Sequence, residues 1–285
     1  MRRAAPRGLR PYSVLAYPAL AMGVFFVAPF AIMVAVSFFH RVEGGFYEPG
    51  FELANYGRFF TPLFIHHMLF SLYVAALAAV ICVVVGFPFT YFVTRMQRRA
   101  QAPILVLILC VLALSEVIVG FSWSVLLSRT AGVSNLLVWL GLMPKPTAWS
   151  PGFVAVIFGL VYLAFPFAVL VLYPPLTRLD REITEAARTL GASPLKTFFT
   201  VVIPVLRPAI VATLILVFVF TLGSYLIPQL LGRPQHWTLS VLITDQAIFH
   251  SNAPFAAAMA IFLMVVSLGL VGVTLAVGRR REAPA

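Results

Sequence analysis

Six apolar stretches, each long enough to cross a bilayer, take up most of this chain. They lie at approximately 13–39, 68–94, 102–127, 152–176, 205–226 and 255–277. A crossing helix needs roughly 20 apolar residues, because the hydrocarbon core is about 30 Å thick. Backbone N–H and C=O groups find no water in lipid, so each stretch must satisfy them internally, as a helix. The pattern therefore predicts an all-α fold, a polytopic membrane helical bundle of six transmembrane helices. Composition agrees: 10% of the 285 residues are charged and mean hydropathy is +1.00, where a soluble domain carries about 25% charged residues. The first stretch reads as a span and not as a cleaved leader, because its apolar run is too long and no small-x-small site closes it.

The formal charge of +11 does not point to nucleic acid. With the N-terminus inside, inner segments hold Arg2, Arg3, Arg7 and Arg10, then Arg95, Arg98 and Arg99. They also hold Arg178, Arg181, Arg188, Lys196 and Arg207, and finally Arg279, Arg280 and Arg281. Arg41, Arg58, Arg129, Lys145 and Arg233 remain outside. Such an excess orients a membrane protein with its basic side in the cytoplasm. Both termini and the loop 177–204 are thus expected to be cytoplasmic. The domain reading is a basic tail at 1–12, a single transmembrane domain at 13–278 that includes this loop, and a short tail at 279–285.

Smaller features fill in the organisation. Cys82 and Cys110 fall inside spans and read as small packing residues. His66-His67 reads as part of a hydrated outer loop, and no metal site is expected. Leu136–Leu140 is too short to span and, with Trp139, suits the outer interface. Pro174-Pro175 reads as the end of span four, because proline cannot continue a helix. Leu239–Ile243 reads as a short interfacial helix.

Between spans four and five lies a polar island, 180–208, unlike anything else in the chain. Asp180 is placed to cap a short helix, since its carboxylate accepts from the free amides of the first turn. Glu182 and Glu185 sit near the positive end of that helix and Arg188 near the negative end. Ile183, Ala186, Ala187 and Leu190 fall at i, i+3, i+4 and i+7, one apolar stripe that its two alanines keep flat enough for a close partner. Gly191 stands where a helix end takes a left-handed residue. Ser193-Pro194 follows as a cap and a first helical position. The island predicts helix, tight turn, helix, with the second helix running towards Pro204.

The island also carries Glu185-Ala186-Ala187, Gly191 after three further residues, and Val201-Val202-Ile203-Pro204 after nine more. This resembles the cytoplasmic coupling loop of permease subunits of ATP-binding-cassette importers, whose form is Glu-Ala-Ala, Gly and Ile-x-Leu-Pro at the same spacing. Val201 and Ile203 are mild departures. Gly223-Ser224-Tyr225-Leu226-Ile227-Pro228-Gln229-Leu230-Leu231-Gly232, Asn55-Tyr56 and Gly132-Val133-Ser134-Asn135 look similar to permeases of the spermidine/putrescine type. The resemblance covers roughly residues 10–278. It implies the type I importer permease fold in a bacterial inner membrane, with lipid around the spans. It implies two related permeases, ATPase subunits and an extracytoplasmic solute-binding protein. It also implies that Ile183, Glu185, Ala186, Ala187, Leu190, Gly191 and Pro204 form the contact with the ATPase.

The residues present fit a non-enzyme. No G-x-x-x-x-G-K-[ST] phosphate loop occurs, and the two lysines follow Pro144 and Leu195. No catalytic triad or carboxylate pair is evident. The chain is expected to hold no cofactor, with ATP-Mg on the partner subunit. The alternative class is an ion-coupled secondary transporter, which usually shows broken or charged helices near the midplane and paired repeats. Here Glu116, near the middle of span three, is the one acidic residue in a span. A charge at a helix centre costs about 2.5–3.5 kcal/mol on insertion scales, so it should face the bundle interior or a wet cavity. Two readings stay open: a transient contact for a cationic solute on the translocation path, or a carboxyl buried against neighbouring helices.

Overall fold

The structure, a computed structural model, describes residues 11–42, 45, 47–130 and 132–280, with side chains within 17–274. Arg2, Arg3, Arg7 and Arg10 of the expected N-terminal tail, Gly44, and Arg281 of the C-terminal one lie outside the described residues. In chain order the main helices are α1 Tyr17–Val36, α2 Pro62–Arg95, α3 Arg98–Ala113, α4 Glu116–Leu126, α5 Val133–Trp139 and α6 Phe153–Thr177. There follow α7 Arg181–Thr189, α8 Pro194–Val205, α9 Arg207–Gly223, α10 Leu226–Leu231, α11 Leu239–Phe249 and α12 Ala253–Arg280. Among the described residues there is no strand, only a bridge between His40 and Glu48.

Four helices, α1, α2, α6 and α12, are long and apolar enough to cross a membrane unaided. The other two expected spans are broken. α3 and α4 form one pair bent by 97°, and α8 and α9 another bent by 72°. The count of six holds when each bent pair is one span, but span three is not the continuous helix that its hydropathy suggests. Leu114 and Ser115 are both extended, with ψ of 136° and 135°, and there the ladder of α3 stops. The elbow at Leu206 falls between two prolines, Pro204 and Pro208, each lacking the N–H that an uninterrupted helix would need.

Two other expectations are corrected. α6 runs through Pro174 and Pro175 to Thr177. The Pro174 carbonyl still accepts from Arg178 N at 3.2 Å, and Thr177 Oγ1 donates to the Tyr173 carbonyl at 2.8 Å. Each proline lacks only its own N–H, so the carbonyls one turn back, at Leu170 and Val171, lose a donor while the last turn still closes normally. His66 and His67 lie within α2 and not in a loop, because Thr61 is extended and Pro62 opens the helix at its first position. The short helix expected at Leu239–Ile243 extends to Phe249 through a π turn at Asp245–Phe249.

The chain forms two compact units. The smaller takes the described residues up to Phe59 and Ile243–Phe262. Its outer segment is held by stacking of Phe38 on Phe51 at 5.1 Å and by Phe59 against Phe262 at 4.8 Å. Asn55, 5% exposed, donates to the Ser37 carbonyl at 3.3 Å, and the Tyr56 and Ser37 hydroxyls bond at 2.8 Å.

The larger unit takes Phe60–Leu242 and the chain from Leu263 on. Its core is α2, α6 and α9, filled in three successive layers. Next to the short helix α10, Val74, Ala78, Val156 and Leu160 pack with Ile227 and Leu231. In the middle, Ala79, Cys82, Ala164, Ala168 and Val217 let the helices approach closely. At the island end, Phe87, Leu172 and Leu176 pack with Leu179, Val202 and Leu206.

Candidate functional site

The island folds as helix, turn, helix, and its caps are formed by the residues that the sequence nominates. Asp180 Oδ1 accepts from Glu182 N at 3.0 Å, opening α7. The other end of α7 closes with two reversed bonds, Ala192 N to the Ala187 carbonyl at 3.1 Å and Gly191 N to the Arg188 carbonyl at 3.0 Å. That is the glycine-closed helix end, and it requires the left-handed φ of +87° at Gly191. Ser193 Oγ then accepts from Lys196 N at 3.3 Å, with Pro194 as the first residue of α8.

The structure separates the nominated residues into groups. Ile183, Ala186, Ala187 and Leu190 share the outward face of α7. Ile183 is 44% exposed, Leu190 is 89% exposed, Ala186 is exposed and Ala187 half-buried. Glu185 is not on that stripe. It lines a cavity with Arg181 and Arg188 on the opposite face, beside the buried Thr184. Pro204 lies close to the elbow at Leu206 and shapes the entry to α9. Gly191 sits at the turn itself. Beneath the loop, Phe198 packs its ring 5.5 Å from Phe87 and 5.2 Å from Tyr91. Leu179, Val202 and Leu206 are buried against α6 in the same layer. This layer packs α8, the helix that follows α7, against α2, α6 and α9.

Glu116 is the first residue of α4 and not the middle of a helix. Its Oε1 accepts from Ser224 Oγ at 2.8 Å. Ser224 is itself the extended residue, ψ 128°, between α9 and α10. One hydrogen bond thus joins two helix breaks 108 residues apart. The half-buried carboxylate stands at the N-terminus of α4, where the helix dipole favours negative charge. α10 packs between α4 and α6 where both carry glycine. A Cβ on Gly120 would lie 2.7 Å from Leu230 Cδ1, and one on Gly159 2.7 Å from Leu231 Cδ1. The pair of breaks was missed from sequence, although Ser115-Glu116 is a helix-start signal inside the apolar run.

At the far end of α2 from the island, His67 Nδ1 bonds the Trp237 carbonyl at 2.8 Å, and Leu239 N donates to Ser71 Oγ at 2.6 Å. Ser240 Oγ donates to the Leu222 carbonyl at 2.6 Å, which fixes the start of α11 on α2 and α9. Burial first, and the Arg233 guanidinium second, push the His236 imidazole below its ordinary pKa.

Residues 86–282, which include the island and both breaks, match the family described as binding-protein-dependent transport system inner membrane component. The chain belongs to this family. The permease is 32% identical over 245 residues to the spermidine/putrescine transport system permease protein PotB of Escherichia coli (strain K12), covering 85% of this chain and 88% of that one. It is 29% identical over 206 residues to the molybdenum transport system permease protein ModB of Azotobacter vinelandii, covering 70% and 89%. Its fold matches a chain of a bacterial alginate ABC transporter crystallised with an alginate-bound periplasmic protein. That TM-score is 0.75 at 18% identity, over 96% of this chain and 95% of the other. A chain of the MetNI methionine ABC transporter matches at a TM-score of 0.55 and 19% identity, over 76% and 93%. The fold is therefore that of type I importer permeases, and the protein is a membrane component of a transport system. Broken helices also occur in ion-coupled transporters, so it is family membership that separates the two classes.

Proposed function

We propose that this permease forms the membrane path of an ATP-driven importer for a small cationic solute of the polyamine class. A separate ATPase, carrying ATP-Mg, docks on the stripe of Ile183, Ala186, Ala187 and Leu190, with Gly191 holding the turn. Glu185 and Pro204 act on that contact through the packing of α7 and α8. A second related permease completes the path, and an extracytoplasmic binding protein delivers the solute. The observation that carries this reading is the capped loop with an exposed stripe of small and apolar side chains. The solute class is supported by 32% identity to a spermidine/putrescine permease protein, and by a carboxylate at the junction of two broken helices. An anionic group there is matched in charge to a cationic solute.

Two measurements test it. Reconstituted with its ATPase, second permease and binding protein, the permease should take up radiolabelled spermidine or putrescine only when ATP is supplied. Uptake driven by a proton or sodium gradient without ATP would favour the ion-coupled alternative. Uptake of an anion such as molybdate in place of a polyamine would remove the solute class and leave the importer standing. For orientation, the distribution of Lys and Arg supports the reading that both termini and residues 177–204 are cytoplasmic. Single cysteines at the exposed positions Ser193 and Gln235 should label from opposite sides of the membrane. Labelling of both from one side would overturn the six-span arrangement.

A further inference from the structure

A cavity of about 550 Å³ lies between the end of α2 and α7, within the roughly 300–1,000 Å³ typical of small-molecule sites. Its charged lining is Arg95 from α2 and Arg181, Glu185 and Arg188 from α7, three positive groups against one negative. None of these three arginines is in an ion pair with a carboxylate among the described residues. Two buried polar atoms without a hydrogen-bond partner belong to residues of this lining, Arg95 Nη2 and Thr197 Oγ1. Thr197 is only 3% exposed. Folded proteins rarely leave such groups unmet, and those that remain mark a water, an ion or a ligand. The Arg95 guanidinium is also held 5.1 Å above the Tyr91 ring. A second cavity of about 690 Å³ shares Arg95 and Arg181 and adds Arg98.

Apart from Thr184, the rest of the lining is aromatic or apolar, and it reaches the surface. Phe92 is 64% exposed, Phe199 61% and Leu195 71%. Phe92 lies three residues before Arg95 at the end of α2, a helix long and apolar enough to cross a membrane, and an exposed aromatic ring beside an arginine suits the zone where hydrocarbon gives way to headgroups. A fitting ligand has oxygens that accept from a guanidinium and a hydroxyl, a negative charge, and an apolar part. Arginine suits phosphate in this role because its fork donates two parallel bonds. Basic pockets at the inner ends of membrane helices hold anionic lipid headgroups by the same forces.

We propose that this cavity binds the phosphate headgroup of an anionic phospholipid from the leaflet beside the coupling loop. Arg95 and Thr197 donate to the phosphate, Arg181 and Arg188 supply charge, and the chains lie along Phe92 and Phe199. An ATPase seated on the stripe would leave the site open. At 3.6 residues per turn, positions 181, 185 and 188 point away from 183, 186, 187 and 190. Bound lipid ties α7 to the end of α2 and makes the loop's position sensitive to membrane composition. The inference rests on the reading of this end as a membrane surface, not on the solute.

The test uses the assembled importer in nanodiscs of phosphatidylglycerol mixed with phosphatidylcholine, with retained lipid read by native mass spectrometry. The native complex should retain phosphatidylglycerol in preference to phosphatidylcholine. Arg95→Gln should lower that retention by at least about fivefold, the weight of one arginine near an anionic surface. Arg95→Lys should fall between the two. Equal retention by the native complex and Arg95→Gln overturns the proposal. So does full displacement by soluble glycerol phosphate, which would make this a site for bare phosphate. Loss of the ATPase from the Arg95→Gln complex would also overturn it, by marking the cavity as a protein contact. None of these readouts measures transport, so failure here leaves the solute reading intact, and the reverse holds.

Discussion

Gly191→Val should abolish ATP-driven uptake while the permease still inserts and accumulates in the membrane. Gly191 has φ of +87°, and two reversed hydrogen bonds close α7 around it. An L-residue in the left-handed region costs about 1–2 kcal/mol, and a β-branched one is a genuine outlier there. A Cβ at this position would meet no atom within 4 Å. The effect is therefore conformational and not a matter of crowding. That separates two substitutions: Gly191→Asn should keep most activity, because asparagine tolerates a left-handed helix end, whereas valine should release the turn and turn the stripe away from its partner. Ala187→Trp should act differently, leaving the turn intact but holding the ATPase off a face that is flat in the native chain. Uptake and ATPase co-purification measure both. If Gly191→Val and Ala187→Trp both transport at the native rate and retain the ATPase, the docking assignment for α7 is wrong.

What could be read from sequence divides along the range of the forces involved. The caps at Asp180, Ser193 and Gly191 are local: each rests on a side chain or a φ value within a few residues, and each is formed as expected. The break at Leu114-Ser115 is local too, yet neither glycine nor proline marks it, and an averaged hydropathy passes over it. Pro174-Pro175 misled in the opposite sense. Each proline removes only its own N–H, and the helix runs two residues further before it closes on the Pro174 carbonyl. The separation of Glu185 from the apolar stripe was available from helical periodicity alone. The cavity of Arg95 and Thr197 was not, since those residues meet only after α2, α7 and α8 have packed.

Glu116→Gln should reduce uptake of the cationic solute about tenfold at neutral pH, with assembly and ATPase coupling kept. The amide oxygen of glutamine still accepts from Ser224 Oγ, so the bond joining the two helix breaks survives. What disappears is the capacity for a charge-assisted contact. Hydrogen bonds to charged groups contribute about 1.5–3 kcal/mol, against about 0.5–1.5 for neutral ones, and a difference of about 1.4 kcal/mol is tenfold. Ser224→Ala reverses the comparison: the carboxylate stays and the link between α4 and α10 is lost. This variant should lower the thermal stability of the complex more than Glu116→Gln does, while its uptake per assembled complex falls less. Initial uptake rates normalised to assembled importer, together with melting temperatures, separate the two effects. Native uptake by Glu116→Gln would remove this residue from the translocation path and leave it the structural task of fastening two interrupted helices at their breaks.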